Sequence, residues 1–165
     1  MNQLIAPEIE VFSPEYQDGV LDLILGIQQK EFQIAITAED QPDLRRIQNF
    51  YQIGKGNFWV AVLNKKVIGT ISLLDIGNDR AALRKMFVHE NFRGGSQNIA
   101  SRLLATLLNW AESTGIKEIF LGTTPVFLAA HRFYEKNGFH EIDKGVLPGT
   151  FPVMKVDTRF YRYVL

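Results

Sequence analysis

Residues 83–108 constrain the fold more than any other stretch, because they combine a strand, a glycine-containing loop and an amphipathic helix without interruption. The strand portion, Leu83–Val88, is rich in residues that favour extended backbone. Beyond the loop, apolar residues recur at helical spacing, at Ile99, Ala100, Leu103, Leu104, Leu107, Trp110 and Ala111. The loop therefore leads into a helix N-terminus, where the first backbone N–H groups have no intrahelical acceptor.

The loop at residues 93–98 has the chemistry of a phosphate site. Gly94 and Gly95 let a bulky anion approach the backbone closely, the helix dipole favours negative charge, and Arg93 adds a positive charge. A Gly-Gly pair after a strand is also common in simple turns. The phosphate interpretation therefore depends on what the rest of the chain adds.

The composition is that of one globular domain without a strong electrostatic field. The chain has 165 residues, 46% hydrophobic and 22% charged, which suits a single domain over residues 1–165. Eighteen basic residues balance eighteen acidic ones, so neither nucleic acid nor an anionic membrane is expected as a partner. The N-terminus does not resemble a secretion signal, and no apolar run is long enough to span a bilayer, so we expect a cytoplasmic protein.

The cysteine and histidine content narrows the chemistry further. The chain has no cysteine, which excludes disulfides, a thiol nucleophile and thiolate metal sites. Its three histidines, His89, His131 and His140, have no spacing typical of a metal site or a catalytic triad. We therefore expect the histidines to be structural and the protein to need no metal.

The pattern before residue 83 predicts a strand, two helices and two more strands. Ser13-Pro14 opens the first helix, and Asp40 with Asp43 resembles a capping box for the second, which ends at Gly54. The strands are Glu8–Phe12, Asn57–Leu63 and Val67–Asp75, and the last two form an antiparallel meander with Ala81–Val88.

The second half of the chain predicts a βαβ crossover and an antiparallel ending. After the central helix, which ends at Thr114-Gly115, the apolar run Glu118–Thr123 is expected to be a parallel strand buried on both faces. A helix begins at Pro125, and the strands Phe139–Ile142 and Phe151–Leu165 follow. The predicted fold is mixed α/β, with a seven-stranded, mostly antiparallel sheet and about four helices in the order β-α-α-β-β-β-α-β-α-β-β.

Two motifs resemble those of the GNAT superfamily of N-acetyltransferases. Val88–Gly94, followed by Ile99–Leu104, is similar to the family's strand-to-helix acetyl-CoA loop. Ala129–Phe139 is similar to its signature of an alanine, an aromatic residue, Tyr-Glu-Lys and Gly-Phe. With the order of the elements, the resemblance covers about Asn57 to Phe139.

The resemblance implies that acetyl-CoA binds between two splayed strands. The strand ending at Phe87-Val88 would offer a backbone N–H to the thioester carbonyl and pair with the pantetheine arm. The implied cofactor contacts are Met86, Phe87, Val88, Arg93, Gly94, Gly95, Ser96, Gln97, Asn98, Ile99 and Ala100.

The sequence departs from the family pattern in two places. The loop is two residues longer than usual, with Asn98 in place of a glycine, and Phe127 replaces a customary asparagine.

Acetyl transfer to an amine needs a proton acceptor for the amine and a proton donor for the departing thiolate. Tyr134 is the predicted general acid, because of its place in the Tyr-Glu-Lys motif; the alternative is a packed aromatic residue with a satisfied hydroxyl. The sequence does not identify the general base. A water chain is one possibility, and the candidate carboxylates are Glu31, Asp40, Asp75 and Glu118.

The predicted function is acetyl-CoA-dependent transfer of an acetyl group, by direct attack, to a primary amine of a small molecule or peptide. The protein would act as a monomer or homodimer. One alternative is a non-catalytic module of the same fold that binds an acyl-CoA. A dinucleotide-binding domain fits poorly, because the chain has no Gly-x-Gly-x-x-Gly motif and the strand ending at Thr123-Thr124 provides no acidic residue for a ribose.

Overall fold

The computed structural model describes residues 6–165, in which one seven-stranded sheet has the spatial order β1-β2-β3-β4-β5-β7-β6. The strands are β1 Glu8–Val11, β2 Asn57–Leu63, β3 Lys66–Gly77, β4 Arg80–Val88, β5 Glu118–Thr123, β6 His140–Ile142 and β7 Arg159–Val164. Neighbouring strands are antiparallel except β4 and β5, which are parallel. The predicted fold class is confirmed.

In the part of the chain that the structure describes, four α-helices cover the two faces of the sheet. They are α1 Gln17–Leu25, α2 Ile47–Phe50, α3 Ile99–Thr114 and α4 Leu128–Lys136, and α1 continues as a π-helical turn, Gly26–Glu31. Side chains along β2 alternate between the faces: Phe58 and Val60 pack with α1 and α2, whereas Trp59 and Ala61 pack with α3. β5 is buried on both faces, as predicted, with Leu121 on one side and Phe120 on the other.

The predicted second helix is wrong over most of its length. Residues 42–45 form a 3₁₀ turn, Arg46 leaves helical geometry with φ −135°, and only the four residues of α2 are helical. The capping box does not form. Asp40 accepts hydrogen bonds from the loop before it, and Asp43 turns inward to accept the Tyr51 hydroxyl at 2.5 Å.

The predicted final strand is too long, because residues 151–158 form turns before β7. The Asp157 carboxylate accepts the Met154 N–H at 3.0 Å, and the Thr158 N–H donates to the Thr123 carbonyl at 3.0 Å. The alternation in this segment reflects burial of residues such as Phe151 against the sheet rather than strand pairing. Similarly, α4 begins at Leu128 and not at Pro125. No helix within residues 6–165 is both long and apolar enough to cross a bilayer.

Candidate active site

Strands β4 and β5 part in the middle of the sheet. Across the described residues they pair only through Arg80–Ala82 and Glu118–Phe120. Beyond that point β4 continues to Val88, paired with β3 on one side, and β5 continues to Thr123, paired with β7. The two strands therefore enclose a slot, and the β4 backbone from Leu83 onward has no strand partner on the slot side.

A cavity of about 550 Å³ lies at this slot. Both strands line it, together with the π-helical turn, the loop after β4, helix α4 and the segment 151–157. The predicted residues Met86, Phe87 and Val88 are in its wall, and so is Tyr134. The structure thus brings the β4 and α4 motifs, about 50 residues apart in sequence, to one site.

The loop at residues 93–98 reaches one end of the cavity. Gly94 and Gly95 have φ values of 69° and 73°, a backbone conformation that favours glycine. No side chain caps α3, and its first hydrogen bond runs from the Arg102 N–H to the Asn98 carbonyl at 2.9 Å. The N–H groups of Ile99 and Ala100 precede that bond, as in an anion-binding helix start. The backbone of Asn98 is left-handed, with φ 49°. Glycine adopts this conformation readily and asparagine does so occasionally, which is consistent with asparagine at the position where the family pattern has glycine.

Arg93 connects this loop to the opposite wall. Its guanidinium forms a two-pronged ion pair with Glu31, with Nη2 at 2.7 Å from Oε1, and its Nε donates to the Val88 carbonyl at 2.7 Å. It also lies 5.9 Å from the ring centre of Phe32, which packs edge-on against Phe127. The predicted phosphate-binding arginine is therefore held in a contact with Glu31.

Tyr134 is 5% exposed, and its hydroxyl has no hydrogen-bond partner in the part of the chain that the structure describes. Its ring packs against Phe139 and Tyr161 at centre distances of 5.5 and 6.1 Å. Burial raises the pKa of the phenol well above its ordinary value of 10. The side chain thus has the packing expected of a core residue and a protonated hydroxyl available to a ligand in the cavity.

A bulge in β4 shapes the other side of the cavity. Thr70 pairs with Phe87 and Ser72 with Arg84, so two residues of β4 lie opposite one of β3, and Lys85 has φ 56°. Arg84 and Lys85 consequently both contact the segment 41–51 on the α2 face. The hydroxyls of Thr70 and Ser72 donate to the carbonyls of Lys85 and Arg84, each at 2.7 Å. The two hydroxyls thus provide hydrogen-bond donors for β4 carbonyls at the bulge, where the regular β3–β4 backbone pairing is interrupted.

Lys85 enters a buried polar network behind the cavity wall. Its ammonium donates to the Gln41 side chain and lies 3.8 Å from the Asp43 carboxylate. The amides of Gln28 and Gln41 exchange two hydrogen bonds, at 3.1 and 2.8 Å. Burial nevertheless lowers the pKa of Lys85 to about 8, and Asp43 opposes this shift.

Asp157 is a cavity carboxylate that the sequence analysis missed. Burial raises its pKa above the ordinary value, while the Met154 N–H, Arg84 and Lys85 act in the opposite direction. The carboxylate lies against Gly122 of β5, where a β-carbon would come within 2.7 Å of Asp157 Oδ2. A carboxylate beside the slot, with its pKa raised, is suited to accept a proton.

The four carboxylates considered from sequence have other contacts. Asp75 accepts the Lys55 and Gly77 N–H groups in turns, and Glu118 pairs with Arg80 at the far end of β4. Asp40 accepts hydrogen bonds from Thr37, and Glu31 pairs with Arg93. His131, predicted to be structural, has both ring nitrogens in contact with the protein: its Nε2 lies 2.8 Å from the Thr124 carbonyl, and Arg159 lies 3.0 Å from its Nδ1. Among residues 6–165 no three His, Asp or Glu side chains are grouped to hold a metal ion.

The comparison with known families agrees with this geometry. The model of the Acetyltransferase (GNAT) family matches residues 21–139. The chain belongs to the GNAT family. This GNAT protein is 39% identical to a GNAT-family acetyltransferase from Staphylococcus aureus Mu50, whose crystal structure superposes with a TM-score of 0.93 over 96% of this chain and 99% of that one.

This GNAT protein is also similar to a solved structure of the same fold and to a curated sequence. The PaiA N-acetyltransferase of Thermoplasma acidophilum, solved in complex with coenzyme A, shares the fold, with a TM-score of 0.74 at 18% identity over 98% of this chain and 100% of that one. N-acetylaspartate synthetase from Xenopus tropicalis is 35% identical over 132 residues, which are 74% of this chain and 48% of that protein. The chain thus spans about half the length of the curated relatives it matches.

Proposed function

We propose that this protein is an N-acetyltransferase that uses acetyl-CoA to acetylate a primary amine of a small molecule or peptide. The observation that carries the proposal is the parting of β4 and β5, with a cavity and the Tyr134 hydroxyl at the slot between them. An extended pantetheine arm can pair with the free β4 backbone as an added strand would. The coenzyme A bound to the PaiA N-acetyltransferase supports acetyl-CoA as the cosubstrate.

The chain provides a group for each part of the cosubstrate. The N–H groups at the start of α3, with Gly94 and Gly95, hold the pyrophosphate, and Arg93 exchanges Glu31 for a phosphate oxygen. A β4 N–H near Phe87-Val88 donates to the thioester carbonyl. That hydrogen bond strengthens as the amine attacks and the oxygen gains charge. The C–S bond then breaks and releases the CoA thiolate.

Asp157 acts on the amine, and Tyr134 acts on the departing thiolate. Asp157 takes the proton that the attacking amine loses. Tyr134 donates a hydrogen bond to the thiolate, and because its pKa lies well above that of a thiol, the proton it shares remains mostly on the phenol. The thiolate is finally neutralised by a proton from solvent. Each role uses a side chain in the wall of one cavity.

Replacing Tyr134 with phenylalanine tests this function, because the change deletes one hydroxyl and retains the packed ring. We expect the turnover number to fall about 10²- to 10³-fold, as is typical when one hydrogen-bond donor to a developing negative charge is removed, with the melting temperature and the CoA affinity little changed. The measurement is CoA release across a panel of primary amines. Turnover within two- or threefold of wild type would make Tyr134 a packing residue. If CoA binds but no amine releases it, the non-catalytic acyl-CoA-binding alternative is correct.

A further inference from the structure

Arg84 has an unusual environment for a charged side chain. It is half-buried in the cavity wall, and across residues 6–165 no carboxylate oxygen lies within 4.0 Å of its guanidinium. Its Nη2 lies 3.3 Å from the sulfur of Met154, a weak acceptor. The rings of Phe50 and Tyr51 lie 5.7 and 5.9 Å from the guanidinium carbon. Aromatic rings thus pack beside the charge, and no carboxylate of the described residues forms an ion pair with it.

The other basic residues of the cavity wall do have anionic partners. Lys85 lies 3.8 Å from Asp43 and also donates to a glutamine amide. Arg93 forms its two-pronged pair with Glu31. Asp157, the acidic residue in the same wall, lies beyond ion-pair distance of Arg84 and accepts a backbone N–H instead. Arg84 is therefore the cation at this site that is left to be neutralised by a ligand.

A half-buried guanidinium with unused donors is well suited to bind a carboxylate. Removing a charge from water is costly unless a partner compensates it. The guanidinium presents its N–H donors in a planar fork that matches the two oxygens of a carboxylate. The backbone of Arg84 is fixed, because its carbonyl accepts the buried Ser72 hydroxyl at the bulge. The fork is thus presented from a rigid strand.

We propose that Arg84 binds a carboxylate of the acceptor, so that the substrates are amines that also carry a carboxylate, such as free amino acids. This inference rests on the acetyltransferase function proposed above. The acceptor's ammonium lies toward Asp157 and its carboxylate toward Arg84, since both side chains line the same cavity. Arg84 determines specificity and takes no part in breaking or forming bonds.

The first test compares products that differ in one group. N-acetyl derivatives of alanine, leucine and phenylalanine, and their α-carboxamides, are titrated by calorimetry into the protein saturated with CoA. We expect the acids to bind at least tenfold more tightly than the amides. Arg84→Met should weaken binding of the acids by about 10- to 150-fold, the range expected for a charge-assisted hydrogen bond, and leave the amides unchanged. Arg84→Lys, which keeps the charge and loses the fork, should give an intermediate effect.

The second test uses the matching amino acids, amino-acid amides and decarboxylated amines as acceptors in a CoA-release assay. An amide has the less basic amine, which favours attack, so a preference for the acid cannot arise from amine reactivity. Arg80→Met is the matched control, because Arg80 lies on the same strand and pairs with Glu118 away from the slot. Its variant should behave like wild type in both assays.

The outcomes separate this inference from the function on which it rests. Equal binding of acids and amides, or an equal loss of both in Arg84→Met, would overturn the role of Arg84. Release of CoA from simple amines would in that case still support the acetyltransferase. If no amine releases CoA while N-acetyl amino acids still bind more tightly than their amides, the carboxylate site is supported and the catalytic proposal fails. Melting temperatures of the variants show whether each is folded.

Discussion

Lys85 combines a left-handed backbone with a buried ammonium at the centre of the sheet. It is 7% exposed and has φ 56°. Either property alone costs free energy, and their coincidence is typical of sites where function, rather than stability, determines the residue. The bulge directs Arg84 and Lys85 to the same face, so the strained position is what places two positive charges in the wall of the cavity.

The pH dependence of stability should reveal the buried ammonium. The native pKa of Lys85 is about 8, whereas its ordinary value is 10.5. Between these pH values the unfolded chain holds a proton that the native protein has released, so the free energy of unfolding rises with pH. The increase amounts to about 3 kcal/mol across the window. Below pH 8 both states are protonated, and the contribution no longer changes.

Lys85→Met removes this titration and keeps most of the side-chain volume. Urea unfolding at a series of pH values should show that wild-type stability, measured relative to the variant, increases between pH 8 and 10.5. The ion pair with Asp43 is lost in the variant at every pH, so the change of the stability difference with pH is what reports Lys85. Parallel stability curves for the two proteins would mean that Lys85 keeps an ordinary pKa.

Replacing Arg93 and replacing Glu31 should change the affinity for CoA in opposite directions. If Arg93 exchanges Glu31 for a phosphate oxygen, Arg93→Ala should raise the dissociation constant for CoA about tenfold or more. Glu31→Gln should lower it, because the guanidinium no longer has to leave a carboxylate. Isothermal calorimetry measures both. Weaker binding in both variants would mean that the pair serves to hold the loop in place rather than to clamp phosphate.

At the scale of elements, the sequence predicted the buried side chains better than it predicted the secondary structure of the backbone. Leu44, Ile47 and Tyr51 are buried as their helical spacing indicates, although the segment is a 3₁₀ turn and one short helix. Spacing reports which face is apolar. It does not report that Asp43 turns inward to accept the Tyr51 hydroxyl, because the cation near this buried carboxylate, Lys85, is more than 40 residues away in sequence.

The site was predictable where a motif lies in one stretch of chain. The glycine loop, the end of β4 and Tyr134 were predicted this way. The cavity is lined by Arg93 and Gly94 of that loop, by residues 86–88 and by Tyr134. Arg84 and Asp157 were missed because tertiary structure brings them together. A signal for Arg84 was present, however: a pair of charged residues interrupts an apolar strand, and Thr70 and Ser72 occupy the apolar strand before it. Hydroxyls inside one strand and charges inside the next indicate a bulge.

Gly122 of β5 provides a test at the scale of two packed elements. In Gly122→Ala the new methyl group would lie 2.7 Å from Asp157 Oδ2 and 3.0 Å from the Phe160 ring, so the carboxylate must move. We expect turnover to fall about 10- to 100-fold, as is typical when a catalytic group is displaced by about an ångström. Gly149→Ala, which would meet nothing within 4 Å, is the control and should leave turnover unchanged. Full activity in Gly122→Ala would argue against Asp157 as the base.

At the scale of the whole molecule, cofactor binding should increase the free energy of unfolding. A ligand that binds only the native state at about 100 times its dissociation constant contributes about 2.7 kcal/mol. For a chain of this length that corresponds to a rise in melting temperature of roughly 5 to 11 °C. Thermal denaturation with CoA or acetyl-CoA measures the shift, and NAD is the comparison ligand. A shift with NAD and none with acetyl-CoA would contradict the proposed cosubstrate.

The parting of β4 and β5 also has a mechanical consequence. Four strands lie on one side of the split and three on the other, and the sheet joins them through just three residue pairs, Arg80–Ala82 with Glu118–Phe120, within the described chain. Elsewhere the two halves meet through side chains, such as Leu83 of β4 and Ile119 of β5 in one buried cluster. Side-chain contacts can rearrange without breaking any ladder within either half, so we expect the width of the slot to adjust to its contents.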